Sequence, residues 1–124
     1  MKQKISEAEW RVLDALWELS GGTAAEVAQA LSDTGWSRNT VHTFLTRLTA
    51  KGYVCAADGR APKRYLPLLS REDCVREETR SFVSRVFDGS ASQLMRTFLQ
   101  QSTLSETEAE ELRALLDQAE ARGK

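Results

Sequence analysis

Residues 36–52 read WSRNTVHTFLTRLTAKG, and the spacing inside this stretch decides the fold. Ser37 is a helix N-cap, because its hydroxyl can accept one of the backbone N–H groups that a first turn leaves unpaired. Trp36 and Val41 stand at the two positions of a hydrophobic staple across that cap. Val41, Phe44, Leu45 and Leu48 then recur at three- and four-residue intervals and form one apolar stripe. Lys51-Gly52 closes the helix with a cation for its dipole and a glycine for its left-handed cap. With the stripe inward, at about 100° per residue, Asn39, Thr43 and Thr46 point outward. Thr40, His42 and Arg47 lie on the flanks, and this outward face has no carboxylate.

On the N-terminal side two more helices announce themselves. Ser6-Glu7-Ala8-Glu9 is a capping box, with Ile5 and Trp10 in the staple positions. Trp10, Leu13, Leu16 and Trp17 give the helix one apolar face, and Ser20-Gly21-Gly22 ends it. Thr23-Ala24-Ala25-Glu26 is a second capping box, opening a short helix with Val27 and Leu31 inward, and residues 32–35 break it. On the C-terminal side the period turns extended. Tyr53-Val54-Cys55 and Lys63-Arg64-Tyr65-Leu66 are short β-prone runs around the turn signal Asp58-Gly59. Pro62 and Pro67 restrict the second run to a short edge strand. The fold class expected is therefore mostly α with a small β-ribbon: a winged helix-turn-helix over residues 1–69.

Residues 70–124 are expected to form a second unit of three amphipathic helices. Ser70 opens a long helix reaching Asp88-Gly89, with Val75, Phe82, Val86 and Phe87 apolar. A second helix carries Leu94, Met95, Phe98 and Leu99. A third follows the capping box Ser105-Glu106-Thr107-Glu108 and carries Leu112, Leu115 and Leu116. An arm this small cannot bury those stripes by itself, so pairing with an identical copy is expected. Phe82, Phe87, Leu94, Phe98, Leu112 and Leu116 are the expected dimerisation residues.

Net charge is −1, which taken alone argues against nucleic acid, but its distribution reverses that. Between Thr34 and Leu66 the basic residues are Arg38, Arg47, Lys51, Arg60, Lys63 and Arg64, against Asp58 alone. From Ser70 onward there are eight basic and eleven acidic side chains. A local cationic surface on a mildly acidic chain suits a phosphate backbone. A solvated helix face usually carries Glu and Lys pairs, whereas the acid-free face of residues 38–47 suits a major groove. Asn39 could bond an adenine edge, Thr43 could set its methyl against a thymine methyl, and His42 could read guanine or touch phosphate. Arg38, Thr40, Thr46 and Arg47 complete the expected DNA-binding face, and Arg60, Lys63 and Arg64 form the wing that follows flanking phosphates. Blander readings stand beside these: His42 as an exposed histidine, Arg47 as a cover for apolar neighbours, and the ribbon tip as a charged loop.

Other chemistries have little support. Cys55 and Cys74 come with one histidine and no CxxC, short of a metal-ligand set, so packed thiols are expected. Trp10, Trp17 and Trp36 have core spacing rather than that of a stacking platform. No nucleophile motif is present, so no enzyme, catalytic residue, metal or cofactor is expected. No apolar run approaches the roughly 20 residues of a membrane span, and the first residues lack a secretory core; cytoplasmic placement is expected. Two rivals remain, a winged helix that docks a protein partner and a redox or metal sensor built on the two cysteines.

Three stretches carry a family resemblance: AEWRVLDALWE (8–18), WSRNTVHTFLTRLTAKGYV (36–54) and DGRAPKRYLPLLSRED (58–73), continuing into EAEELRALL (108–116). They resemble the winged-helix family of penicillinase and methicillin-resistance repressors. The resemblance implies a homodimer on a palindromic double-stranded DNA operator, with an N-terminal half for DNA and a C-terminal half for dimerisation. It implies control of β-lactam resistance or related genes. It also implies relief through a sensor-linked protease that cuts the C-terminal arm at Thr97–Phe98, where family members carry Asn before Phe. Asn39 and His42 stand where those repressors carry Lys and Arg, so the operator bases do not transfer. A copper-sensing branch carries paired C-terminal cysteines, which the closing residues 120–124 lack.

Overall fold

Local capping starts the helices where the sequence predicts. In the computed structural model, which describes residues 4–57, 59 and 61–123, helix α1 spans Glu7–Leu19. Ser6 Oγ accepts from Glu9 N at 3.1 Å while Glu9 Oε1 accepts from Ser6 N at 2.8 Å. Helix α2, Ala24–Ala30, begins with the same reciprocal pair between Thr23 and Glu26. A single 3-10 turn, Ser32–Thr34, leads to α3 over Arg38–Lys51, capped by Ser37 Oγ on Thr40 N and ended by Gly52 at φ 86°.

The sheet differs from the expected ribbon. Strands β2 (Val54–Ala56) and β3 (Arg64–Pro67) pair antiparallel, with Cys55 opposite Leu66 and Ala56 opposite Tyr65. A two-residue strand β1, Gly22–Thr23, joins the other side of β3, Gly22 opposite Tyr65 and Thr23 opposite Arg64. β3 is therefore the central strand, not the edge expected from its prolines. The physical reason is register: β1 pairs only with Arg64 and Tyr65, ahead of Pro67, so the missing proline N–H costs no bond on that side. Of the turn residues, Gly59 has φ +91°, suited to glycine, while Asp58 and Arg60 lie outside the described residues.

The core sits between α1, α2, α3 and the sheet. Val12, Leu13 and Leu16 of α1, Val27 of α2, and Val41, Leu45 and Leu48 of α3 are fully buried, closed by Tyr53, Val54 and Tyr65. Phe44, expected inward, is only partly buried at the rim of this cluster. Trp10 and Trp17 meet edge to face at 5.7 Å, and Trp17 Nε1 donates to Leu69 O at 2.9 Å, so both serve packing.

Two compact units divide the chain at Met1–Ser81 and Phe82–Lys124. Helix α4, Arg71–Phe87, runs through that division. Its first turns belong to the first unit: Cys74 is fully buried in the core, and Glu78 Oε1 accepts from Ile5 N at 3.3 Å. The second unit holds the end of α4, then α5 over Ala91–Gln101 and α6 over Glu106–Arg122. Ser90 caps α5, and Ser105 and Glu108 form the capping box of α6. Phe82 and Phe87 pack edge to face at 5.8 Å. Among the described residues α5 and α6 bury none of their side chains fully, and no helix is long and apolar enough to cross a membrane.

Candidate nucleic-acid interface

The buried stripe of α3 fixes what its other side presents. With Val41, Leu45 and Leu48 fully buried, Arg38, Asn39, His42, Thr43, Thr46 and Arg47 are exposed and Thr40 is half-buried. Thr43 Oγ1 donates to Asn39 O at 3.1 Å, and Thr46 Oγ1 donates to His42 O at 2.9 Å. Both hydroxyl protons are thus spent inside the helix, leaving an acceptor oxygen and a methyl group for an incoming surface.

Neighbouring rings orient two of the flanking side chains. His42 lies edge-on to Tyr65 of β3, centroids 6.4 Å apart at 76°. Arg47 places its guanidinium carbon 5.9 Å above the Phe44 ring, which itself packs on Trp36 at 5.1 Å. Such an arrangement limits the rotamers of a long cation before any ligand arrives. Between the start of α2, the first turns of α3 and the ribbon lies a cleft of about 460 Å³. Thr23, Ala24 and Ala25 form one wall, Arg38, Asn39 and His42 the second, and Pro62, Lys63 and Tyr65 the third. Sequence reading missed the α2 wall, whereas Tyr65, which its place among strand residues marks as core packing, is indeed buried behind the cleft.

The cationic footprint is narrower than composition implies. Lys51 turns away from the outward face, its Nζ 2.7 Å from Glu9 Oε1 and 2.8 Å from Lys4 O. Arg64 pairs with Glu26 at 3.1 Å, on the wall of β1 and α2. The Glu26 carboxyl is held below its usual value, first by the Thr23 N–H and then, against a desolvation cost, by the Arg64 charge. Arg38, Arg47 and Lys63 have no ion-pair partner among the described residues, and Arg60 lies outside them. The structure therefore gathers Arg38, Asn39, His42 and Lys63 around one cleft, with Thr43, Thr46 and Arg47 continuing the face along α3.

The residues expected to dimerise lie in the second unit. Phe82, Phe98, Leu112 and Leu116 are exposed, and Phe87 and Leu94 are half-buried. Thr97 and Phe98 sit inside α5, both exposed.

Three helices, a three-stranded wing and an acid-free outward helix define the class as a winged-helix DNA-binding regulator. The penicillinase repressor family model matches residues 5–118, and the chain belongs to that family: it is a transcriptional repressor and not an enzyme. It is 31% identical to the penicillinase repressor of Bacillus licheniformis over 122 residues, covering 98% of this chain and 95% of that one. It is 29% identical to the methicillin resistance regulatory protein MecI of Mammaliicoccus sciuri, covering 92% and 94%. Among solved structures, Bacillus licheniformis BlaI in its monomeric form, in complex with the blaP half-operator, is similar with a TM-score of 0.50 and 32% identity. That match covers 59% of this chain and 90% of that one.

Proposed function

We propose that this chain is a sequence-specific repressor that binds a palindromic operator as a homodimer, through α3 in the major groove and the ribbon along flanking phosphates. The observation that carries the reading is the division of α3 into a fully buried stripe and an exposed face without carboxylates. Asn39, His42 and Thr43 meet base edges; Arg38, Thr40, Thr46, Arg47, Arg60, Lys63 and Arg64 hold the backbone. The similarity to BlaI, whose complex contains a half-operator, supports the DNA partner. The winged-helix domain of residues 1–69 reads DNA, and the helical domain of residues 70–124 joins two copies through Phe82, Phe87, Leu94, Phe98, Leu112 and Leu116. Exposure of Phe98 at 57% and Leu116 at 66% supports that pairing, since apolar groups of this size leave water when a partner covers them. The regulated genes are those of β-lactam resistance or a related response, in the cytoplasm. A sensor-linked protease relieves repression by cutting at Thr97–Phe98.

The test is titration of labelled DNA from the region upstream of the chain's own gene, against a scrambled duplex, at several salt concentrations. The expected result is tighter binding of the native duplex by about 10³-fold or more, with affinity falling linearly in log salt. Equal affinity for both duplexes, with no salt dependence, rejects the proposal.

A further inference from the structure

The far end of α3 carries a feature that the DNA face does not use. Lys51, the last residue of the helix, continues the apolar stripe one turn beyond Leu48, and its side chain is only 20% exposed. Its ammonium bridges Glu9 Oε1 and the carbonyl of Lys4. Glu9 is a rigid acceptor, since it is 1% exposed and its Oε1 is also held by Ser6 N in the α1 capping box. The Lys4–Ile5 backbone is pinned from the other side as well, because Ile5 is buried and its N–H reaches Glu78 Oε1 on α4. One ammonium thus joins the end of α3 to the start of α1 and to a strand of chain anchored on α4.

As a source of stability alone this is a poor arrangement. Burying a carboxylate and an ammonium costs desolvation that apolar side chains would avoid, and Glu9 Oε2 is buried with no hydrogen-bond partner among the described residues. What the pair does supply is a fixed position. Asn39 lies twelve residues before Lys51, about 18 Å along the helix at 1.5 Å per residue. A tilt of about 3° at this end moves Asn39 by about 1 Å, more than the spread of good hydrogen-bond lengths.

We infer that Glu9 and Lys51, with the Lys4–Ile5 backbone, form a clasp that sets the seat of α3. They are positioning residues for base reading, although neither lies on the outward face. The inference rests on the DNA reading above, and its test separates the two.

The probe is the duplex that the full-length wild-type chain enriches from a randomised pool, compared with a scrambled duplex of the same composition. Lys51→Met removes the clasp and leaves Glu9 buried without its cation. The double variant E9Q/K51M removes both charges while its amide oxygen can still accept from Ser6 N, so it keeps the fold measurable even where the single variant melts. The expected result is that E9Q/K51M unfolds cooperatively, binds scrambled DNA as wild type does with the same salt slope, and loses about tenfold in the ratio of selected to scrambled affinity. Lys51→Arg, which retains the cation, should restore most of that ratio. A folded double variant with the wild-type ratio overturns the inference. So does a parallel loss on both duplexes with a salt slope smaller by about one, which would make Lys51 a direct phosphate contact. Should the wild-type chain enrich no sequence, the DNA reading falls and this inference falls with it.

Discussion

The two units of this chain treat the same residue types in opposite ways. In the first, Leu13, Leu16, Leu45 and Leu48 are at zero exposure, packed between three helices and a sheet. In the second, Phe98, Leu115 and Leu116 are more than half exposed, and neither α5 nor α6 buries a side chain fully. Fully burying one such side chain stabilises by about 1.5–3 kcal/mol. The first unit collects that energy within itself, while the second leaves most of its apolar side chains in water, and the pairing proposed above would cover them. The difference teaches where to look for each unit's stability: in its own core for one and, under the proposed pairing, in protein concentration for the other.

The contrast can be broken by substitution. Leu45→Ala should cost the first unit about 2–5 kcal/mol, read as a fall in melting temperature that does not depend on protein concentration. An unchanged melt would mean that α3 is not seated by its apolar stripe. Phe98→Asp should leave that unit's fold intact and yield monomers by sedimentation, with affinity for a palindrome lower by about 100-fold or more as the linked second contact is lost. An intact dimer in that variant would move the contact surface elsewhere.

Two buried acids make the first unit's stability depend on pH at both extremes. Burial raises the Glu9 carboxyl, but Lys51, the Ser6 N–H and the Ser6 hydroxyl outweigh it, so its net position is below the usual value of 4.5. A lowered folded value means the stabilisation is complete above the ordinary glutamate range and is lost as pH falls toward the depressed one. Tyr53 is pushed up to about 12 by burial and by the nearby Glu78, Cys74, Glu77 and Glu9. Its stabilisation is present below the ordinary tyrosine value of 10 and is lost as pH rises toward 12. Melting curves across pH should therefore fall at both ends, and Glu9→Gln should flatten chiefly the acid limb, since its charge is the smallest of the causes that raise Tyr53. A steep acid limb in that variant would place its cause on other carboxylates. The smallest effect concerns salt. Lys63→Ala should reduce the slope of log affinity against log salt by about one, and Arg64→Ala by less, because Glu26 already holds that cation. Equal reductions would show that the Arg64–Glu26 pair opens on DNA.

Much of this was legible in the sequence because its signals are local. The capping boxes at Ser6, Thr23 and Ser105 complete themselves within four residues, and the stripe of α3 repeats inside one helix. What escaped the reading depends on distance along the chain. Strand β1 has two residues, too few to display a period, and pairs with β3 more than forty positions away. Lys51 and Arg64 look like free cations in the sequence, since Glu9 and Glu26, which engage them, come 42 and 38 residues earlier. Phe44 falls within the helical stripe, yet it sits at the rim and serves Trp36 and Arg47.

The hydroxyls of Thr43 and Thr46, turned back onto their own helix, have a consequence for how such a molecule diverges. Neither they nor Asn39 bonds a side chain of another element among the described residues, so no side-chain hydrogen bond to the rest of the fold depends on their identity. Evolution can re-letter those positions, and Asn39 above all, at little penalty to the scaffold. Under the proposed reading, a few point changes there would re-aim the molecule at a different operator without passing through an unfolded intermediate.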